Sequence, residues 1–289
     1  MSPFIAPICQ QHLSRTLLKR MLRGTLTGLL VSCTPSNTSE TLVLTGSSTV
    51  APLVSEIGQR YESQQSDIQV DVQTGGSSRG IADARSGVAD IGMASRDLTA
   101  DEQDLTAHII ARDGITVILH DANPITSLTD AEIMDIYTGE IDNWQEVGGE
   151  DTSIVVVNKA DGRATLDVFL NYFDLDSGEI DADIVIGDNT QGLKTVAGNP
   201  QAIGYISIGT AQAGVEQGEP IRLLPIQGVA ASAENVANGT FPLARSLSLI
   251  TSDNPSDAAQ AFIDFAQSDA VHDLIEAQNF VPVNQRSRD

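Results

Sequence analysis

Short runs of Val, Ile and Leu repeatedly give way to runs whose apolar residues fall three and four apart, and Gly, Ser and Thr make each handover. Alternation between a two-residue and a 3.6-residue period dictates an α/β fold, with strands and helices taken in turn. Residues 42–44 read as the first strand, and Val50, Leu53, Val54, Ile57 and Tyr61 mark the helix after it. Residues 68–72 alternate as a strand, 81–85 form a short helix, and 90–94 and 115–119 are further strands. Asn123-Pro124 breaks the pattern. A helix over 129–137 carries Ile133, Ile136 and Tyr137, residues 154–157 form a buried strand, and Leu166, Phe169, Leu170 and Phe173 share a helix face. Residues 202–206, 221–224 and 247–250 are strands, and 256–278 one long terminal helix.

The start of the chain is different. Residues 1–39 hold Arg15, Lys19, Arg20 and Arg23 and no acid; the first acid is Glu40. A short apolar stretch, residues 24–32, follows the basic cluster and runs into Cys33. Basic segment, apolar segment, small residue and cysteine make the order of a lipoprotein-type secretory signal, with Cys33 as the lipidation point. The stretch falls short of the roughly 20 apolar residues that a spanning helix needs. Residues 1–39 are therefore expected to be signal peptide and polar tether, with Met1 or Met21 as the start. Cleavage at Cys33 would remove Cys9 and leave the folded part with no disulfide. The chain would then sit in the periplasm or on an extracytoplasmic membrane surface, held by acyl chains.

The formal net charge of −23 argues against nucleic acid and anionic lipid as partners. Basic residues are few, 16 Lys and Arg in all, and their placement is informative. Four turns between strand and helix share one chemistry: Thr45-Gly46-Ser47-Ser48-Thr49, Gly75-Gly76-Ser77-Ser78-Arg79-Gly80, Ala94-Ser95-Arg96-Asp97, and Asn158-Lys159-Ala160-Asp161-Gly162-Arg163-Ala164-Thr165. Arg79, Arg96, Lys159 and Arg163 all lie in them. A helix start presents unpaired N–H groups and partial positive charge. Glycine admits close approach, and Ser and Thr hydroxyls donate to anion oxygens. Ligands in α/β folds lie beyond the carboxyl ends of strands, where these turns fall. Converged, the turns make an anion cage. Remote carboxylates are muted over a screening length of about 8 Å.

At these residues the chain resembles the periplasmic phosphate-binding proteins, receptors of phosphate ABC importers, from about residue 42 to 283. Residues 45–52, 75–80, 90–96 and 159–165 resemble the four phosphate loops of that family, and Tyr137-Thr-Gly-Glu-Ile-Asp-Asn-Trp144 and Ala202-Ile-Gly-Tyr-Ile-Ser207 match flanking segments. The resemblance implies a two-lobed periplasmic-binding-protein-like fold (type 2) with two hinge-crossing strands, for which the stretches Val117-Ile118 and Leu249-Ile250 are candidates. Lobe one is expected over 40–119 plus 247–289 and lobe two over 120–246. It also implies that Ser48, Thr49 and Val50 bind phosphate by hydroxyl and backbone N–H. Ser77 and Ser78 would add hydroxyls, and Ser95 and Arg96 would close that side. Lys159 would supply charge, and Arg163, Ala164 and Thr165 N–H groups and a hydroxyl. Lys159 stands where the family has Arg, and Arg163-Ala164 where it has Ser-Gly. Asp97 is a candidate acceptor for the proton that phosphate keeps and sulfate lacks. The implied partners are inorganic phosphate and an ABC permease, with the receptor a monomer that needs no cofactor.

Other readings compete. Sulfate or another tetrahedral oxyanion would suit the same turns. Gly76-Ser77-Ser78-Arg79-Gly80 also fits the G-x-S-x-G elbow of serine hydrolases, with Ser78 as nucleophile and His272 as base. A receptor that only signals or adheres would share the cleft. His12, His108, His120 and His272 have no metal-ligand spacing. The acidic stretch 174–183 fails the calcium-loop template and reads as a solvated loop. Trp144 reads as a packing residue.

Overall fold

The computed structural model describes residues 39–283, so the signal, Cys9, His12 and Cys33 lie outside the described residues. The chain opens with β1 (Glu40–Gly46), α1 (Ala51–Glu62), β2 (Ile68–Thr74), α2 (Ser77–Ser86) and β3 (Ile91–Ala94). The long β4 (Thr106–His120) follows, then α3 (Asp130–Tyr137), β5 (Val155–Lys159), α4 (Ala164–Phe173), β6 (Ile184–Ile186) and α5 (Asn189–Ala197). After these come β7 (Ala202–Ser207), α6 (Ile208–Glu216), β8 (Ile221–Leu223), α7 (Ala233–Ala237), β9 (Ala244–Thr251), α8 (Asp257–Ala266), α9 (His272–Ala277) and β10 (Val281–Pro282).

The strands lie in the order β2-β1-β3-β9-β4-β7-β5-β6, with β8 and β10 also paired to β4. β1 pairs parallel with β2 and β3, and β5 pairs parallel with β6 and β7. Between these parallel halves, β4 and β9 run antiparallel. β4 gives its first part to β9, up to Gly114, and its second part, from Ile115, to β7. Packing changes along the same line. Leu44, Leu53, Ile57, Ile110, Ala111, Leu247 and Phe262 belong to one buried group. Ile115, Val117, Ile133, Phe169, Tyr205, Phe241 and Leu243 belong to another. The result is two α/β lobes joined through β4 and β9.

The expected crossing strands are thus the right ones, but the changeover falls at the middle of β4 and the start of β9. It comes at the rungs that pair Asp113 with Arg245 and Gly114 with Ala244, not at Val117-Ile118 and Leu249-Ile250. Gly114 leaves room there for neighbouring side chains: a Cβ would stand 2.6 Å from the tip of Ile208 and 3.0 Å from the Phe241 ring. The strand expected over 115–119 is therefore the second half of a 15-residue strand. The single terminal helix is also corrected: α8 and α9 are separated by a 3₁₀ turn, Asp269–Val271. Side chains at the break compete with helix continuation. Ser268 Oγ donates to the Phe265 carbonyl at 2.7 Å, and Gln267 Nε2 to the Ile109 carbonyl at 2.9 Å.

Aromatic packing is concentrated in lobe two. The Phe169 and Tyr205 rings stack at 4.0 Å with 11° between planes, and Tyr137 meets both. Trp144 is buried and donates its indole N–H to the Gln201 carbonyl at 3.0 Å, a packing role as expected. Phe169 lies midway along α4, whose start carries Thr165, so this stack also helps to fix where Thr165 stands. Phe169→Ala is expected to destabilise the protein by about 3–5 kcal/mol, measured as a lowered urea midpoint; an unchanged midpoint would contradict the packing account.

Candidate functional site

Five turns meet between the lobes. The first ends β1. Ser47 Oγ accepts from the Thr49 and Val50 N–H groups at 3.2 and 3.4 Å and donates to Ser95 Oγ at 3.0 Å, which folds the turn onto the end of β3. The second starts α2. Gly76 has φ 96°, and a Cβ there would lie 2.6 Å from the Gly162 carbonyl of the opposite lobe, so only glycine fits. Ser77 Oγ accepts the Ser95 N–H at 3.1 Å, which ties the second turn to the third.

Lobe two contributes the turn from β5 to α4 and the turn from β6 to α5. Lys159 is 3% exposed and donates from Nζ to the Asp188 carbonyl at 2.8 Å and to Asn189 Oδ1 at 3.1 Å. Asp188 caps α5 by accepting the Gln191 N–H at 2.8 Å. Ser47, Thr49, Gly76, Ser77 and Ser95 line one side of a cavity of about 10 Å³, and Lys159, Arg163, Ala164, Thr165 and Asn189 line the other. That is room for about one water-sized sphere, so a larger solute enters as the two sides part. Clefts of about 380 and 750 Å³ flank it, the first reached past Ser48 and Asn189, the second past Ser78, Arg96 and Asp167.

Behind the cavity lies a buried ion pair. Arg245 Nε and Nη2 donate to Asp113 Oδ2 at 3.1 and 2.8 Å. Its Nη1 donates to Thr165 Oγ1 at 2.9 Å and Ser95 Oγ at 3.4 Å, and Nη2 to Thr49 Oγ1 at 3.4 Å. Burial lowers the Lys159 pKa to about 7, with Asp188 raising it and Arg245 and Arg163 pressing it down. Hydroxyls, helix starts and cations from both lobes thus face one another in a largely buried space, despite the acidic composition of the chain.

The structure brings Ser48, Thr49, Ser77, Ser95, Lys159, Arg163, Ala164 and Thr165 to this cavity. Val50 is buried in the lobe-one core, and its N–H turns toward Ser47 at 3.4 Å. Two of the expected residues stand outside this cavity. Arg96 does not line the cavity: its guanidinium is forked onto Glu102 at 2.7 and 2.9 Å and reaches Asp167 of lobe two at 3.0 Å. That fork holds the Glu102 carboxyl down at about 2, so the charge of Arg96 is already matched. Ser78 faces the larger cleft, and its N–H donates to the Gly162 carbonyl at 3.3 Å. Asp97 is exposed and lines that same outer cleft.

The hydrolase reading is not favoured by where its residues stand. His272, its proposed base, stands on α9 beside Asp269 and lines a small pocket with Ile109, Ile110 and Ile275. Sequence reasoning missed Asn189, Asp188, Asp113 and Arg245. Asp188 with Gln191 three residues later is a helix-start signal that marks the fifth turn. Arg245 and Asp113 carry no local signal, because they meet only through the β4–β9 pairing.

A family model described as a PBP superfamily domain matches residues 32–270. A phosphate-binding protein PstS of Bacillus subtilis is 29% identical over 252 residues, 85% of this chain and 81% of that protein. A substrate-binding protein from Clostridium perfringens, solved with bound phosphate, superimposes with a TM-score of 0.79 at 32% identity, covering 85% of this chain and all of that one. An ABC-type phosphate transport receptor from Vibrio cholerae gives a TM-score of 0.71 at 30% identity, covering 84% of this chain and all of that one.

The Lys159 amine supplies a test of the cavity's chemistry. A pKa near 7 leaves it partly unprotonated at pH 8, and a dianion arriving beside it raises that value again. Binding of a tetrahedral dianion such as arsenate at pH 8 is therefore expected to take up a proton. Calorimetric enthalpies measured in buffers of different ionisation heat should show it, and Lys159→Arg should lose it. Equal proton uptake in both proteins would contradict this role.

Proposed function

The chain belongs to the periplasmic-binding-protein superfamily and, within it, to the phosphate-binding receptors of ABC importers, and from that premise we propose how its own residues hold the anion. Inorganic phosphate lies between the lobes and is released to the permease of the importer. The supporting observation is convergence: hydroxyls and helix starts from both lobes line one cavity beside a buried lysine.

Ser48 and Thr49 bind from the turn before α1, while the Val50 N–H is held by Ser47 Oγ. Ser77 and Ser95 add hydroxyls from α2 and β3. Lys159 supplies the cation, and Arg163, Ala164 and Thr165 offer N–H groups at the start of α4, with the Thr165 hydroxyl added. A hydrogen bond to a charged partner is stronger than a neutral one, and many together compensate an ion for its lost hydration. Arg96 and Ser78 have another part. They join the lobes at the cleft mouth, Arg96 through Asp167 and Ser78 through Gly162.

The lobes are taken as 40–119 with 247–289, and 120–246. The change of packing group between Ala111 and Ile115 and between Leu243 and Leu247 favours moving the first bound back to about 114 and leaving the second close to 246. The relatives are named as phosphate-binding and substrate-binding proteins. In the same role this chain acts without covalent chemistry, as a monomer tethered through lipid on Cys33. Opening and closing about β4 and β9 carries the ligand in and out.

Two experiments test this reading. Thr165→Val and Ser77→Ala each remove one donor, worth roughly 1.5–3 kcal/mol, so each should weaken phosphate binding about tenfold or more in a calorimetric titration. Wild-type affinity in both variants would contradict the cage. Cys33→Ser should abolish labelling by a radioactive fatty acid in expressing cells and shift the protein out of the membrane fraction. Unchanged labelling would contradict the anchor.

A further inference from the structure

Arg245 is a buried cation in contact with the site hydroxyls that the proposed ligand set leaves without a part. We propose that Arg245, locked by Asp113, is a positioning residue that fixes the hydroxyl protons of the cavity so that they point at the anion. The inference rests on the phosphate reading above.

A hydroxyl has one proton and two lone pairs, whereas a guanidinium can only donate. Thr165 Oγ1 accepts from Arg245 Nη1 at 2.9 Å. Ser95 Oγ accepts from Arg245 Nη1 at 3.4 Å and from Ser47 Oγ at 3.0 Å. Thr49 Oγ1 accepts from Arg245 Nη2 at 3.4 Å and from Asn189 Nδ2 at 3.0 Å. The Asn189 amide is held this way round by its oxygen, which accepts a hydrogen bond from Lys159 Nζ at 3.1 Å. Thr49 and Ser95 thus have both lone pairs used, and the proton of each is left for the cavity side. Thr165 is restricted in the same sense. The same three contacts span both lobes, since Thr49 and Ser95 belong to lobe one and Thr165 to lobe two. Arg245 therefore orients a full set of donors only when the lobes are together.

The anchoring is built for orientation. The side chains of Arg245 and Asp113 are 1% and 0% exposed, and they face each other across β4 and β9 at the lobe changeover. Asp113 Oδ2 holds Nε and Nη2, and Oδ1 takes the Gly209 N–H at 3.3 Å. The guanidinium plane is fixed, with Nη1 and Nη2 aimed at the three hydroxyls.

A double-mutant cycle tests this. The background is Asp113→Asn with Arg245→Gln, which removes both charges together and leaves neither buried alone. Phosphate affinity is measured by calorimetry with and without Thr165→Val, alongside thermal unfolding of each protein. Thr165→Val is expected to cost about tenfold in the unaltered chain and about twofold in the background, a coupling that direct contact predicts and that a merely structural role does not produce. Equal losses in both would overturn the proposal. If the background does not fold, Arg245→Lys replaces it. A lysine cannot span Thr49 and Thr165 together, so it should bind phosphate several-fold more weakly, and wild-type affinity there would overturn the proposal. Absence of phosphate binding by the unaltered chain would overturn the proposed function as well, whereas binding with additive losses would overturn only the role of Arg245.

Discussion

The Asp113–Arg245 pair sits at the rung where both crossing strands change lobes, and the site is arranged around it. Burying two charges is costly, and such pairs often stabilise a fold less than apolar residues of equal size would. Here the pair contacts the loops that follow β1 and β3 and the start of α4. Its value therefore lies in position: it fixes three hydroxyls relative to one another. Gly114, next to it, lets Ile208 and Phe241 close over the changeover. The stacked Phe169 and Tyr205 hold α4 at the matching height on the lobe-two side.

A chain with a formal charge of −23 holds an anion because the relevant field is local. Helix starts, a buried ammonium and a buried guanidinium act over a few ångströms in a poorly hydrated space. Distant surface carboxylates act through water and salt. The carboxylates close by are spent: Asp113 on Arg245, Glu102 on Arg96, and Asp188 on the start of α5. Arg96 illustrates the same rule from the other side. It lies in a turn that sequence pattern marks for anion binding, but its neutralising partners stand six residues on and across the cleft.

The strand and helix alternation was legible because buried strands and amphipathic helices write their periods directly into the sequence. Four of the five site turns were legible for the same reason, since Gly, Ser and Thr cluster where strands end. The first half of β4 was not, because residues 106–114 neither alternate nor run apolar and Asp113-Gly114 reads as a turn. Helices α5 and α6 were hidden by Gly192, Gly209 and Gly214, which lower helix propensity. Packing is close at all three: Cβ atoms there would meet Ile186 and Leu193 side-chain tips at 2.8 and 2.4 Å, and at Gly209 the Gln278 carbonyl at 2.5 Å. Arg245 was illegible in principle, since its partners at Thr49, Ser95, Asp113 and Thr165 come together only in three dimensions.

All of this depends on one tetrahedral anion being gripped from both lobes at once. The most direct test is a crystal grown with arsenate and measured at the arsenic absorption edge, where the anomalous signal locates the anion without assumption. The account expects a single strong peak between Thr49 and Ser77 on one side and Lys159 and Thr165 on the other. A peak confined to the outer clefts, or none in the inter-lobe cavity, would contradict it.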